Sequence, residues 1–256
     1  LFLTRVWKTI PEWLERRREI GGRSVGFVPT MGALHAGHAS LVERCRRENE
    51  IVVVSIFVNP SQFNDPKDLE RYPRTLDRDL DILKSLNADE VLAPAAAELY
   101  PNGYRFRVEP DTSAEAMEAV CRPGFLQGVL TIVLKLLNLV RADRAYFGEK
   151  DYEQLKTVTG MVDEFFLPTQ IVPCPTVREK SGLAMSSRNM LLSPEARDRA
   201  AFLFRALTTA SSPKEARDML QAQGFVVEYV EERWGRRLAA VFLGGVRLID
   251  NVPLGG

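Results

Sequence analysis

A chain of 256 residues, 45% hydrophobic and 27% charged, has room for one large globular domain and a smaller one, which excludes a disordered chain, a collagen and a disulfide-dense mini-protein. Thirty-four basic residues balance thirty-four acidic ones, so no overall field draws the chain to nucleic acid or to an anionic membrane, and any anionic ligand must be held locally. Cys45, Cys121 and Cys174 lie far apart in no metal-binding spacing and read as buried or inert thiols of a reducing compartment; with no apolar run near the roughly 20 residues a membrane span needs, a cytoplasmic location is expected.

Leu1-Phe2-Leu3, followed at once by Arg5 and Lys8, does not read as a signal peptide. Thr9-Ile10-Pro11-Glu12 has the shape of a capping box with proline in the first turn, predicting a helix from about Pro11 to Arg18 that Gly21-Gly22 ends. Val25–Val28 and Ile51–Val58 run apolar without alternation, as strands buried on both faces do, and Leu41, Val42 and Cys45 recur between them at helical spacing. The alternation continues with a helix at Asp77–Leu86, a strand at Val91–Ala93, a long apolar helix at Val129–Val140, a strand at Arg144–Phe147, a helix at Tyr152–Phe165 and a strand at Thr169–Val172. This is the pattern of an α/β doubly wound parallel sheet. Beyond Pro173 and Pro175 come a Ser-rich loop, a helix opened by Ser193-Pro194-Glu195, another near Pro213–Gln223, and strand-like segments Val226–Val230, Leu238–Leu243 and Val246–Ile249. The expected division is a first domain at 1–175 and a smaller α+β cap at 176–256.

The two histidines of the chain fall together in Met31-Gly32-Ala33-Leu34-His35-Ala36-Gly37-His38, between the first buried strand and its helix. That is the carboxyl end of a strand in an open sheet, where ligands bind, and a helix beginning near His38 offers bare N–H groups and its positive end to a phosphate. Gly32 and Gly37 have the spacing of P-loop glycines, but His38-Ala39 stands where that motif requires Lys and Ser or Thr. A plain surface loop and a partial metal site are the alternative readings; zinc, however, normally needs three or four ligands. Gly148-Glu149-Lys150-Asp151 follows another strand end, with Lys150 a point charge for phosphate. Met185-Ser186-Ser187-Arg188-Asn189 suits a mobile loop over a polyphosphate, and Asn59 and Gln62, near Pro60, suit a hydroxylated substrate.

Together these segments resemble the pantoate–β-alanine ligase family of the nucleotidyltransferase superfamily, whose signature is H-x-G-H. The resemblance runs from Val25 to Pro194 and returns at Arg247–Asn251; it rests on Val28–His38, Phe57–Phe63, Tyr72–Thr75, Tyr146–Tyr152, Pro175–Glu179 and Met185–Asn189. It implies a Rossmann-like fold, a homodimer, and a two-step reaction in which pantoate attacks the α-phosphate of Mg-ATP and β-alanine then displaces AMP to give pantothenate. By motif position His35 and His38 would face the α-phosphate, with His38 the proton donor or hydrogen-bond stabiliser as charge develops, and Lys150, Ser186, Ser187 and Arg188 would hold the polyphosphate. Met31–His38, Gly148, Glu149, Asp151, Val177 and Met185 would contact the nucleotide. Gln62, Gln154, Met31 and Asn59 would attend pantoate, β-alanine would enter the place pyrophosphate leaves, and Asp79 would neighbour the magnesium ion. Two positions depart from the pattern: Phe125 stands where the family has histidine, removing an expected donor, and Glu153 replaces a common glutamine. Alternatives are another H-x-G-H nucleotidyltransferase acting on a phosphorylated acceptor, and an ATP-binding regulator of weakened activity.

Overall fold

The structure, a computed structural model, describes residues 4–111 and 117–255. The chain separates into two compact units, one comprising Leu1–Gly148 with Glu153–Cys174, the other Glu149–Tyr152 with Pro175–Gly256.

The first unit begins with β1 (Arg5–Trp7) and α1 (Ile10–Ile20), the latter capped by Thr9, whose hydroxyl donates to the Glu12 carboxylate at 2.7 Å and accepts from the Glu12 N–H. Then follow β2 (Val25–Thr30), α2 (Ala36–Glu48), β3 (Ile51–Ile56), α3 (Pro66–Arg71), α4 (Leu76–Ser85), β4 (Glu90–Leu92), α5 (Ala96–Leu99), α6 (Glu118–Cys121), α7 (Phe125–Val140), β5 (Arg144–Gly148), α8 (Tyr152–Glu164) and β6 (Gln170–Cys174). The strands form one sheet in the order β1-β4-β3-β2-β5-β6, every neighbouring pair parallel. From β2 the chain winds outward through β3 and β4 on one side and through β5 and β6 on the other, so the topological switch lies between β2 and β5. The side chains of β2 and β3 are buried almost throughout, as strands covered on both faces must be, and α2 lays Leu41, Val42 and Cys45 against Val28, Val52 and Val54.

The second unit holds α9 (Pro194–Ala200), α10 (Phe202–Thr209), α11 (Pro213–Ala222), β7 (Val226–Arg233), β8 (Arg236–Leu243) and β9 (Val246–Pro253). Its three strands are antiparallel in chain order, and Leu203, Leu207, Leu220, Phe225, Val230 and Val241 share its core. The single helix expected from Ser193 is two, separated at Ala201, with Ser193 capping the first. Burial pushes the Cys45 thiol up to about 12, and Cys174 is buried too, while Cys121 is exposed, so of the thiols expected to be buried or inert two are buried.

One strand, β1, has no signal in the sequence: it is three residues long and begins with an exposed Arg5. Its place is set by Glu90, 1% exposed at the start of β4, which accepts from Trp7 Nε1 at 2.7 Å and from Arg16 Nε at 2.7 Å. Glu90→Ala leaves the indole N–H and the guanidinium without their shared acceptor and is expected to cost about 3 kcal/mol, read as a lowered denaturation midpoint. A loss below about 0.5 kcal/mol, the scale of an ordinary surface change, would show that Glu90 does not hold this edge.

Candidate active site

At the carboxyl end of β2 the backbone turns through Gly32 and Ala33, both at positive φ (79° and 51°), before α2 begins. The turn is anchored by side chains. Thr30 Oγ1 accepts from the Gly32 N–H at 3.1 Å, and the buried Asp79 of α4 accepts from Ala33 at 2.9 Å and from Leu34 at 2.8 Å, one carboxylate oxygen for each. Gly32 is required here because a Cβ would press on Asp79 Oδ2 at 3.0 Å.

The two histidines then occupy the N-cap and N3 positions of α2. His35 Nδ1 accepts from the Gly37 N–H at 3.1 Å, and His38 Nδ1 accepts from the His35 N–H at 3.4 Å, a capping box made of imidazoles in place of Ser and Glu. The H-x-x-H spacing is therefore a helix-capping spacing. Because each Nδ1 accepts, each neutral ring carries its proton on Nε2, so the pair is set as two Nε2–H donors with ring centroids 4.1 Å apart. Both rings are half-buried at the first turn of a 13-residue helix, whose positive end adds to the attraction for an anion.

Gln62 is buried on a 3₁₀ turn (Pro60–Gln62) beyond β3. That turn sits directly on α7: a Cβ on Gly128 would lie 2.3 Å from the Ser61 carbonyl oxygen. Asn59, expected to attend the substrate, is 1% exposed, and its amide is taken up by the protein. Its Nδ2 donates to Gly128 O at 3.2 Å, and its Oδ1 accepts from Ser61 Oγ and from Tyr100 OH, each at 3.0 Å. It holds the turn that carries Gln62. Arg122, which the sequence did not mark, donates to the Gln62 carbonyl at 2.9 Å with its guanidinium carbon 3.7 Å from the centroid of Phe125. Gln154 is half-buried in the first turns of α8. Its neighbour Glu153 is buried and accepts from the Glu118 N–H at 3.0 Å, satisfying the start of α6, a task that an acceptor-only side chain suits.

In the second unit, Glu149–Asp151 form a 3₁₀ turn with Lys150 Nζ 3.7 Å from Asp151 Oδ1. Val177 and Met185 are brought together across a narrow loop, Met185 N–H donating to Val177 O at 2.9 Å beside the Arg178–Ala184 bridge. Ser186 then caps the turn Ser187–Leu191 by accepting from the Arg188 N–H at 3.3 Å, and the buried Asn189 donates to Ala184 O at 3.0 Å.

The magnesium expectation at Asp79 meets a different residue from the exposed first-turn acid the sequence suggested. Asp79 is 1% exposed, and besides its two backbone donors it accepts from Thr75 Oγ1 at 3.1 Å. Among the described residues no group of three or more His, Cys, Asp and Glu side chains is placed to hold a metal ion. The donor set around Asp79 does not fit a resident cation; its work is to hold the loop. A signal was available in the sequence: Asp79 shares a helical face with the buried Leu83, and an acid within an apolar stripe announces a buried partner.

A doubly wound parallel sheet with histidines capping a helix at its switch point defines an H-x-G-H nucleotide-binding α/β protein. A family model described as pantoate-beta-alanine ligase matches residues 3–253. The pantothenate synthetase of Bdellovibrio bacteriovorus is 49% identical over 252 residues, 98% of this chain and 100% of that protein, and that of Legionella pneumophila (strain Lens) is 47% identical over 251 residues, again 98% and 100%. Among solved structures, the pantoate-beta-alanine ligase of Francisella tularensis, complexed with beta-gamma ATP and beta-alanine, superposes with a TM-score of 0.94 at 39% identity, covering 98% of both chains. Pantothenate synthetase from Thermus thermophilus gives 0.89 at 41% identity, covering 97% of this chain and 99% of that one. The chain belongs to the pantoate–β-alanine ligase family.

Asp79→Asn keeps the shape but presents an NH₂ to one of two buried amide donors, and is expected to lower stability by about 1–3 kcal/mol. Pantoate-dependent pyrophosphate exchange should fall with it. Unchanged exchange in the folded variant would show that the histidine loop needs no such anchor.

Proposed function

We propose that this chain condenses pantoate with β-alanine at the expense of ATP, through a pantoyl adenylate, and that the residues identified above carry that work. In the first step a pantoate carboxylate oxygen attacks the α-phosphorus, forming a carboxylate–phosphate anhydride while the bond to pyrophosphate breaks. In the second the β-alanine amine attacks the activated carbonyl carbon, loses a proton and expels AMP. The observation that carries this reading is the imidazole capping box at the β2–α2 junction, in a chain of this family.

Both steps are charge problems. Attack on the α-phosphate brings one anion against another, and pyrophosphate leaves with added charge, so donors fixed in advance contribute most. His35 and His38, whose Nδ1 atoms are occupied by backbone amides and whose Nε2 atoms are left to donate, serve the α-phosphate without the reorganisation a mobile side chain would need, with His38 donating as charge develops. Gln62 and Gln154 provide neutral amides for the hydroxyl and carboxylate groups of pantoate, with Met31 beside them. In the second unit Lys150, Ser186, Ser187 and Arg188 serve the polyphosphate, and Gly148, Glu149, Asp151, Val177 and Met185 the rest of the nucleotide. Magnesium enters as part of the ATP substrate. Among the described residues no helix is long and apolar enough to cross a membrane. The resemblance to the family supports a homodimer, which analytical ultracentrifugation tests, and the unpaired spacing of the three cysteines supports a cytoplasmic location.

The decisive assay is pantoate-dependent exchange of labelled pyrophosphate into ATP, followed by AMP release when β-alanine is added. Folded protein that binds ATP without exchange would instead be a nucleotide-binding regulator. His38→Ala is expected to lower exchange by about 10²–10³-fold, the scale of removing one preorganised donor, while losing only about 1 kcal/mol of stability with the helix cap. Collapse of the fold would make the histidine structural. Gln154→Ala should raise KM for pantoate about tenfold, the equivalent of one lost hydrogen bond, and leave KM for ATP in place. An unmoved pantoate KM would take Gln154 out of the site.

A further inference from the structure

The two segments of the second unit assigned to the phosphates are braced from outside as well as by their own hydrogen bonds. Both are held by two adjacent residues on β9, Asp250 and Asn251, 3% and 2% exposed. Neighbours on a strand project to opposite faces, so one dipeptide reaches in two directions.

Asn251 Nδ2 donates to the carbonyl of Glu149 at 2.8 Å and to that of Lys150 at 2.9 Å, while its Oδ1 accepts from Arg236 Nε at 2.6 Å. The guanidinium donates only, so Arg236 fixes which way the amide points, oxygen toward the arginine and nitrogen toward the two carbonyls. Arg236 also meets the Glu149 carboxylate at 3.3 Å and lies 4.5 Å from the centroid of the Tyr152 ring. Residues 149 to 152 are thereby clamped by β8 and β9, at either side of Lys150. A lysine side chain is long and flexible, so the position of its backbone is the part of its aim that the fold can set.

Asp250 reaches the other segment. Its two oxygens accept from Arg178 Nη1 at 2.6 Å and Nη2 at 2.9 Å, a bidentate pair. Arg178 donates on to Gly182 O at 3.1 Å and Asn251 O at 3.2 Å, and its guanidinium carbon lies 4.0 Å from the centroid of the Phe204 ring. Arg178 follows Val177 and itself forms the bridge to Ala184, so its anchorage fixes the root of the loop that leads into Met185–Arg188.

We infer that Asp250 and Asn251 are positioning residues for the nucleotide half of the reaction: Asn251 sets the backbone from which Lys150 extends, and Asp250, through Arg178, sets the loop that carries Ser186, Ser187 and Arg188. The inference rests on the functional reading above. It distinguishes a positioning role from bulk stability, because misaiming phosphate ligands damages the use of ATP and leaves the use of pantoate alone.

The test measures pantoate-dependent pyrophosphate exchange in the wild type, Asn251→Asp and Asn251→Leu, with ATP and pantoate varied in turn and folding followed by thermal melting. The two substitutions remove the same donor, one with added charge and one without. Both are expected to raise KM for ATP about tenfold or more with a fall in kcat, since small misplacements of a reacting group carry penalties of that size, while KM for pantoate stays within about twofold. A double-mutant cycle adds the readout that a structural role would not move: in a Lys150→Ala background Asn251→Leu should cause little further loss of ATP use. Full additivity, equal loss toward ATP and pantoate, or unchanged ATP kinetics in a folded variant each overturns the inference. Absence of exchange in the wild type overturns the functional reading instead. If the Asn251 variants do not fold, Arg236→Gln removes the group that orients the amide, and it should shift KM for ATP in the same direction; an unshifted value overturns the proposal.

Discussion

From Gly32 to His35 every peptide N–H is taken by a side chain: Thr30 for the first, the two Asp79 oxygens for the next two, His38 for the fourth. A loop with positive φ at two consecutive residues has poor intrinsic stability, and an unpaired buried amide costs about as much as the hydrogen bond it lacks. The four acceptors remove both difficulties together. They also leave the loop few alternatives, and that restriction prepares the imidazoles for a developing charge, since a donor contributes most when it need not reorganise during the reaction. The spacing of the two histidines, often read only as a signature, follows from the same accounting: N-cap and N3 are the positions from which a side chain reaches the unpaired amides of a helix start.

The second unit applies the device with the opposite polarity. Around Lys150 the groups to be satisfied are carbonyls, and the side chain that satisfies them is a donor, Asn251. Around Arg178 the demand is for an acceptor, and Asp250 provides it. In both units the histidine loop, the Lys150 turn and the Ser186–Arg188 turn take supports from regular elements: α4 for the first, β9 for the other two. A turn has too few backbone hydrogen bonds of its own to hold a side chain to a fraction of an ångström, whereas a helix or a paired strand has a full set.

This division explains what the sequence discloses and what it withholds. Strands β2 and β3, helix α7 and the caps at Thr9 and Ser193 are written in local pattern: unbroken apolar runs, an apolar helical surface, a hydroxyl before proline. The histidine loop, the Lys150 turn and the Ser186–Arg188 turn are equally visible, because each is a short contiguous motif. Their supports are not. Asp79 lies 46 residues from Ala33, and Asn251 lies 102 from Glu149, so nothing local marks either pairing. Asp79 in fact sits where a first-turn aspartate is ordinary, and only its place on one helical face with the buried Leu83 betrays it. Strand β1 is hidden for a related reason, since a three-residue strand has too little alternation to register and draws its place from Glu90 across the sheet. Asn59 shows the complement: its motif is legible, but the direction of its amide, toward Tyr100, Ser61 and Gly128, is a fact of packing.

Phe125 brings these threads together. The motif resemblance leads to an expectation of histidine at this position, and the structure gives the phenylalanine that stands there a use of its own. The ring forms a shelf for the guanidinium of Arg122, an arrangement that favours a cation over an aromatic face, and from that shelf Arg122 donates to the backbone of Gln62. A neutral imidazole is a weaker platform for a cation, and an imidazolium would repel it. With phenylalanine, the Gln62 turn is held by Arg122 on one side, by the Asn59–Tyr100 pair on another, and by close contact with Gly128 of α7 beneath Ser61. Phe125 thus acts on the candidate site through Arg122, by supporting the guanidinium that holds the backbone of a neighbouring amide.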